Sequence, residues 1–146
     1  MKISTKGRYA LRMMIDLAQH AQSTEWIPLK DVSLRQDISI KYLEQIVQRL
    51  CSAGMLKSLR GPSGGYQLSK PASSYTAGEI LRTIEGSLAP VACLEGAVNV
   101  CPRASYCPSI GFYEGLRDVI DNYVNGITLQ ELADQSRPSD TYEYFI

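Results

Sequence analysis

Ser39-Ile40-Lys41-Tyr42-Leu43-Glu44-Gln45-Ile46-Val47-Gln48-Arg49-Leu50-Cys51, followed shortly by Arg60-Gly61-Pro62-Ser63-Gly64-Gly65-Tyr66, is the stretch that decides the fold. Ser39 is a favourable N-cap for a helix. Leu43, Ile46, Val47 and Leu50 recur at helical spacing and make an inner stripe. The opposite face carries Lys41, Gln45 and Gln48, flanked by Tyr42, Glu44 and Arg49, side chains that can reach base edges and phosphates. Cys51 lies at the inner end and reads as core. Upstream, Pro28 starts a short helix anchored by Leu29 and Val32 that stops near Gln36-Asp37. Two helices joined by a short turn, the second capped and polar outside, match a helix-turn-helix. Any amphipathic helix has a polar face, so the pattern needs support from the residues C-terminal to it.

That support is a hairpin. Gly54 ends the helix, and Met55–Arg60 and Tyr66–Ser69 read as two short strands around a glycine-rich turn. Such a wing lets backbone approach another surface closely at Gly61, Gly64 and Gly65, with Pro62 and Ser63 between them. Arg60 at its entry suits a narrow minor groove. The whole is a mainly α chain with a small β-hairpin wing, a winged helix-turn-helix followed by a long helix.

Toward the N-terminus, a first helix is expected from about Ser4 to Gln19, with Leu11, Met14, Ile15 and Ala18 as its buried stripe. Lys2, Lys6, Arg8 and Arg12 lie at or near its start, where the helix dipole prefers anions. That local cost suggests another use for them, such as reaching phosphate oxygens, with a plain solvated face as the alternative. Lys6 and Arg8 are the candidates for DNA contact. Residues 20–26 read as a loop, and His20, the only histidine, as a surface residue rather than a ligand.

Toward the C-terminus, residues 71–75 connect to a helix opened by a Thr76…Glu79 capping box and ended near Gly86. A longer helix spans about 109–125, with Tyr113, Leu116, Ile120, Tyr123 and Val124 as its stripe and Phe112 and Val119 widening it. So much apolar surface outside the first core suits a partner helix from a second copy, and a two-fold dimer would bring two heads onto a palindromic site. Packing within the chain is the alternative. Thr128…Glu131 opens a last short helix, and the tail with Tyr142, Tyr144 and Phe145 carries no signal. The expected organisation is a DNA-binding head over 1–75, a connector helix and cysteine loop over 76–108, a dimerisation helix over 109–127 and a C-terminal helix and tail over 128–146.

Between the last two long helices stand Cys93, Cys101 and Cys107, with seven and then five residues between them. Buried apolar cysteines are common, but three in fifteen residues of irregular chain fit that reading badly. Thiolates are soft ligands suited to zinc, copper(I) and iron–sulfur clusters. The N-terminus has no signal-peptide pattern, which points to the reducing cytoplasm, where clustered cysteines mean metal or redox chemistry. Zinc would make the set a structural clasp on a constitutive DNA binder. A redox enzyme lacks support, since there is no Cys-x-x-Cys, no Gly-rich phosphate loop and no Ser/His/Asp set.

Charge divides the chain of 146 residues the same way. The formal net charge is zero, yet residues 1–70 hold eleven Lys/Arg against five Asp/Glu, and residues 71–146 hold four against ten. A basic half joined to an acidic half suggests that the first meets a polyanion. No apolar run approaches a membrane span.

Ser4-Thr5-Lys6-Gly7-Arg8-Tyr9-Ala10, Ser39-Ile40-Lys41-Tyr42-Leu43-Glu44-Gln45, the wing Arg60–Tyr66 and the three cysteines together resemble the IscR-type iron–sulfur regulators of the wider Rrf family of bacterial winged-helix repressors. The resemblance covers about 140 residues. It implies a homodimer that binds promoter DNA, carries a 2Fe-2S cluster on Cys93, Cys101 and Cys107, and regulates iron–sulfur assembly genes. It also implies that Glu44 helps discriminate between site types. Two departures matter. The first cysteine gap has seven residues where the family has five, and Ile110 stands where the best-known members place a histidine ligand. Glu95, Glu114, a residue of the other subunit or an exogenous thiol or water are the candidates for the fourth ligand. Relatives use similar triads with 4Fe-4S clusters for nitric-oxide or iron sensing, and others sense thiol state without a cluster.

Overall fold

Ser4 starts the first helix: its hydroxyl accepts from the Gly7 N–H at 3.0 Å, and α1 runs Thr5–His20. In the computed structural model, which describes residues 1–21 and 25–135, this helix is the axis of the head. It touches α2 (Leu29–Gln36), α3 (Ile40–Ser52), α4 (Ala77–Glu85) and α6 (Leu129–Gln135). Its inner residues are Ala10, Met13, Met14 and Leu17, all essentially without exposure. The sequence stripe is corrected accordingly. Met14 is central, while Leu11, Ile15 and Ala18 pack at the margins, half-buried. A helix covered on several sides has no single stripe, so a one-face pattern misplaces its centre.

Helix α2 ends at Asp37, whose φ of +53° turns the chain into α3. Ser39 caps α3, accepting from the Tyr42 N–H at 3.2 Å, and Leu43, Ile46, Val47 and Leu50 are buried. Cys51 sits half-buried at the core's edge. Gly54, at φ +74°, closes the helix. Its N–H donates to the Cys51 carbonyl at 3.0 Å, and the Met55 N–H donates to the Leu50 carbonyl at 2.9 Å, satisfying carbonyls left open by the helix end.

The wing pairs β1 (Leu56–Leu59) with β2 (Gly65–Leu68), antiparallel, Leu56 opposite Leu68 and Leu59 opposite Gly65. A third strip of backbone joins it. Ile27 and Tyr66 exchange both hydrogen bonds, at 3.0 and 2.9 Å, so the residue between the 20–26 loop and Pro28 anchors the wing. Gly65 permits this approach, because a Cβ there would lie 2.3 Å from the Ile27 carbonyl oxygen. Tyr75, fully buried, holds the wing's other end. Its hydroxyl donates to the Met55 carbonyl at 2.6 Å and accepts from the Ser69 and Lys70 N–H groups at 2.9 and 3.3 Å.

The Thr76…Glu79 capping box of α4 is formed in both directions, and so is the Thr128…Glu131 box of α6. Leu129 is fully buried in the core shared with Ile80 and Ile84, which brings α6 back onto the head. Helix α5 (Ile110–Asn125) leans on α4, where Arg82 donates to Asp121 at 2.7 Å and Asn125 at 2.6 Å. None of its residues is buried. Tyr113, Ile120 and Val124 are half-buried, while Phe112, Val119 and Tyr123 are 65–69% exposed and line up with Leu116 at helical spacing. Tyr142, Tyr144 and Phe145 lie outside the described residues. No helix among the described residues is long and apolar enough to cross a membrane.

Candidate nucleic-acid interface and thiol segment

Helix α3 and the wing face one another across an open cleft of about 830 Å3. Ile40, Glu44 and Gln48, four residues apart on α3, line one side with Lys30, and Arg60, Gly61, Pro62, Gly64 and Gly65 line the other. Lys41 and Gln45 are exposed beside that row. Ser39 is exposed but engaged as the cap, and Tyr42 is half-buried edge-on against Tyr9 at 5.4 Å. Ser63 is exposed at the wing tip, where the Gly64 N–H donates to the Gly61 carbonyl at 3.0 Å. Lys41, Arg60 and Lys6 take part in no ion pair among the described residues, leaving their charges available to a polyanion. Arg8 reaches back to the Thr5 hydroxyl at 3.4 Å.

Arg49 stands apart from this group. Its Nη1 donates to the Ile84 carbonyl at 2.8 Å, on the side of α3 that meets α4. Sequence reasoning missed Ile40 and Lys30 as cleft residues. An apolar side chain at the first helical position of an otherwise polar face was the available signal for Ile40.

The cysteine segment begins where Gly86, at φ +83°, terminates α4. Leu88 and Leu94 are buried and pin its first part, and a short 3-10 turn spans Ala92–Leu94. Beyond that the chain is a succession of turns. The Cys101 N–H donates to Asn99 Oδ1 at 3.0 Å, and the Ala104 and Tyr106 N–H groups close local turns. Cys93, Cys101 and Cys107 are all free thiols and half-buried. Cys107 lies 3.5 Å from the Ser109 hydroxyl, just before α5. That hydroxyl, the Ser109 and Ile110 backbone amides and the Arg103 charge hold the Cys107 thiol below its ordinary pKa, and burial only partly opposes them. Cys51, by contrast, is pushed up by burial.

The donor chemistry of the segment fits a soft metal or cluster. The placement does not yet form a ligand group: among the described residues, no three His, Cys, Asp or Glu side chains stand together as one that could hold an ion. Glu95 and Glu114 are exposed, and Ile110 is half-buried.

The family model described as "Rrf2: Iron-dependent Transcriptional regulator" matches residues 3–135. The HTH-type transcriptional regulator IscR of Escherichia coli is 37% identical over 140 residues, covering 96% of this chain and 85% of that protein. Among solved structures, CymR, the global cysteine regulator of B. subtilis, superposes with a TM-score of 0.76 at 35% identity, covering 94% of this chain and 99% of that one. IscR of T. potens superposes with a TM-score of 0.74 at 31% identity, covering 94% and 89%. With the capped helix, the wing and near full-length likeness in hand, the chain belongs to the Rrf2 family of transcriptional regulators.

Proposed function

We propose that two copies of this chain bind a promoter duplex through α3 and the wing, and that Cys93, Cys101 and Cys107 hold an iron–sulfur cluster, of the 2Fe-2S type, whose supply the protein reports to iron–sulfur assembly genes. The observation that carries this reading is the placement of three free thiols on one turn-built segment between α4, which packs on the DNA-facing head, and the exposed stripe of α5. In this assignment residues 1–75 supply the DNA contacts, 76–108 the sensor and 109–127 the dimer contact. Lys41, Gln45, Gln48 and Glu44 present hydrogen-bonding groups to the major groove, and Arg60 carries the wing's charge to the minor groove or backbone. Leu88 and Leu94 fix the start of the sensor segment, and in this assignment cluster binding would rearrange its turns to bring the thiols together. A cluster bound there would supply a redox-labile group whose gain or loss changes which arrangement of the segment is populated.

Anaerobic purification, followed by visible absorption and iron and sulfide analysis, tests this. Coloured protein containing iron is the expected result. A colourless, iron-free product that also fails reconstitution overturns it.

A second reading draws on the lowered pKa of Cys107 and on the likeness to CymR. In it, the segment senses cysteine or thiol redox state with no cluster. It expects DNA affinity to change on mild thiol oxidation of iron-free protein, and Cys107→Ala to abolish that change.

A further inference from the structure

The last turn of α4 meets both helices of the candidate DNA face. At α1, Glu85 Oε1 accepts from the Ser4 N–H at 2.9 Å and from the Ser4 hydroxyl at 2.5 Å. The same hydroxyl oxygen accepts from the Gly7 N–H at 3.0 Å. A relay of three residues thus places a carboxylate on the positive end of α1, where the open N–H groups and the dipole favour an anion. Gly7 makes room for it, since a Cβ there would lie 2.1 Å from Glu85 Oε1. At α3, the Ile84 carbonyl, one of those left open at the end of α4, takes its hydrogen bond from Arg49 at 2.8 Å. One residue beyond Glu85, Gly86 ends the helix and the cysteine segment begins.

We propose that Glu85 and Arg49 are positioning residues for DNA binding. Glu85 sets the start of α1, and with it Lys2, Lys6 and Arg8. Arg49 sets α3 against α4 and makes no DNA contact of its own. Because both contacts rest on the turn that leads into the cysteine segment, rearrangement of that segment is felt at both helices. This last clause rests on the sensor role proposed above, and the first two do not.

The test uses the full chain and a duplex selected by the wild-type protein from a random-sequence pool, with binding read by fluorescence anisotropy. Glu85→Asp keeps the charge but is one methylene too short to serve Ser4 fully, and it should weaken binding by about tenfold, as loss of a helix cap would. Glu85→Gln keeps an acceptor oxygen but loses the charge that the dipole favours, so it should weaken binding less than Glu85→Asp does, by about two- to fivefold. Gly7→Ala should weaken binding like Glu85→Asp, although alanine is the better helix former, because its Cβ displaces the carboxylate. If Glu85→Gln and Gly7→Ala both tighten binding, Glu85 acts only by repelling phosphate and the proposal falls. It also falls if Glu85→Asp binds as wild type. For Arg49→Met, weaker binding with an unchanged salt slope supports positioning. A slope shallower by about one marks a lost phosphate contact and removes Arg49 from the proposal. Coupling is read by replacing all three segment cysteines with alanine in the wild-type and Glu85→Asp backgrounds. A shift in affinity in the first that is absent in the second supports the relay, and an equal shift in both overturns it. No shift in either background sinks the sensor reading and the relay with it, leaving the positioning result decided by the single variants.

Discussion

The Asp16 carboxylate on α1, wholly buried, is gripped by the Arg35 guanidinium of α2. Arg35 Nη2 donates to Oδ1 at 2.7 Å and Nε donates to Oδ2 at 3.0 Å. Gln36 adds a third donor at 2.9 Å. Asp16 is the only buried charged residue among those described. It is the buried partner, while the Arg35 side chain is 33% exposed. Removal of the guanidinium is therefore what strands a charge, and Arg35→Ala should cost about 3 kcal/mol of stability by urea unfolding. Replacing both residues with apolar ones of similar volume should restore most of that loss. An equal cost for the single and double variants would show that packing, not the charge pair, matters here.

Thiol reactivity should separate the cysteines. The Cys107 pKa is lowered, so its thiolate forms at lower pH and its alkylation rate should climb below the ordinary thiol midpoint. The Cys51 pKa is raised, so its rate should climb only above that midpoint. Mass spectrometry of iron-free, reduced protein pulsed with iodoacetamide at several pH values gives the order directly. Modification of Cys51 ahead of Cys107 would contradict the hydrogen bonding assigned to Ser109.

Arg60 stands at the entry to the wing without an ion pair among the described residues. Arg60→Ala should weaken DNA binding about tenfold and make the dependence of log affinity on log salt shallower by about one. Affinities measured across a salt series test both numbers, and an unchanged slope would take Arg60 off the phosphates.

Val119 sits in the middle of the exposed stripe on α5. If a second copy covers that stripe, Val119→Glu should convert the protein to monomer in sedimentation velocity and weaken binding to a palindromic duplex. The core of the head lies elsewhere, so its secondary structure by circular dichroism should be unchanged. A variant that still sediments as a dimer would move the contact to another face.

Local signals were legible in the sequence where one neighbour along the chain sufficed. Ser39 as a cap, both capping boxes, the inner stripe of α3 and the glycine stop at Gly54 all arise from residues close to one another along the chain. What could not be read was decided by partners far away in sequence. The centre of α1 shifted because several helices cover it. Ile27 became part of the wing through Tyr66, thirty-nine residues on. The hydrogen bond from Arg49 to the Ile84 carbonyl, thirty-five residues on, was equally hidden, because nothing near Arg49 in sequence announces it. The three cysteines announced a soft-ligand chemistry, but their spacing in turns does not dictate how the sulfurs are arranged.

Tyr75 gives the hairpin a mechanical character. One phenol oxygen is pinned to the exit of α3 through Met55 and to the strand's far root through Ser69 and Lys70, while the Lys70 ammonium covers the ring at 4.7 Å. With Ile27 clamping the middle, the hairpin cannot swing as a paddle. Any adjustment to a bent or narrowed duplex must come from the few residues of the tip, around Gly61 and Gly64. If the wing meets DNA as proposed, its grip is tuned at the fingertip, and the joint behind it is locked.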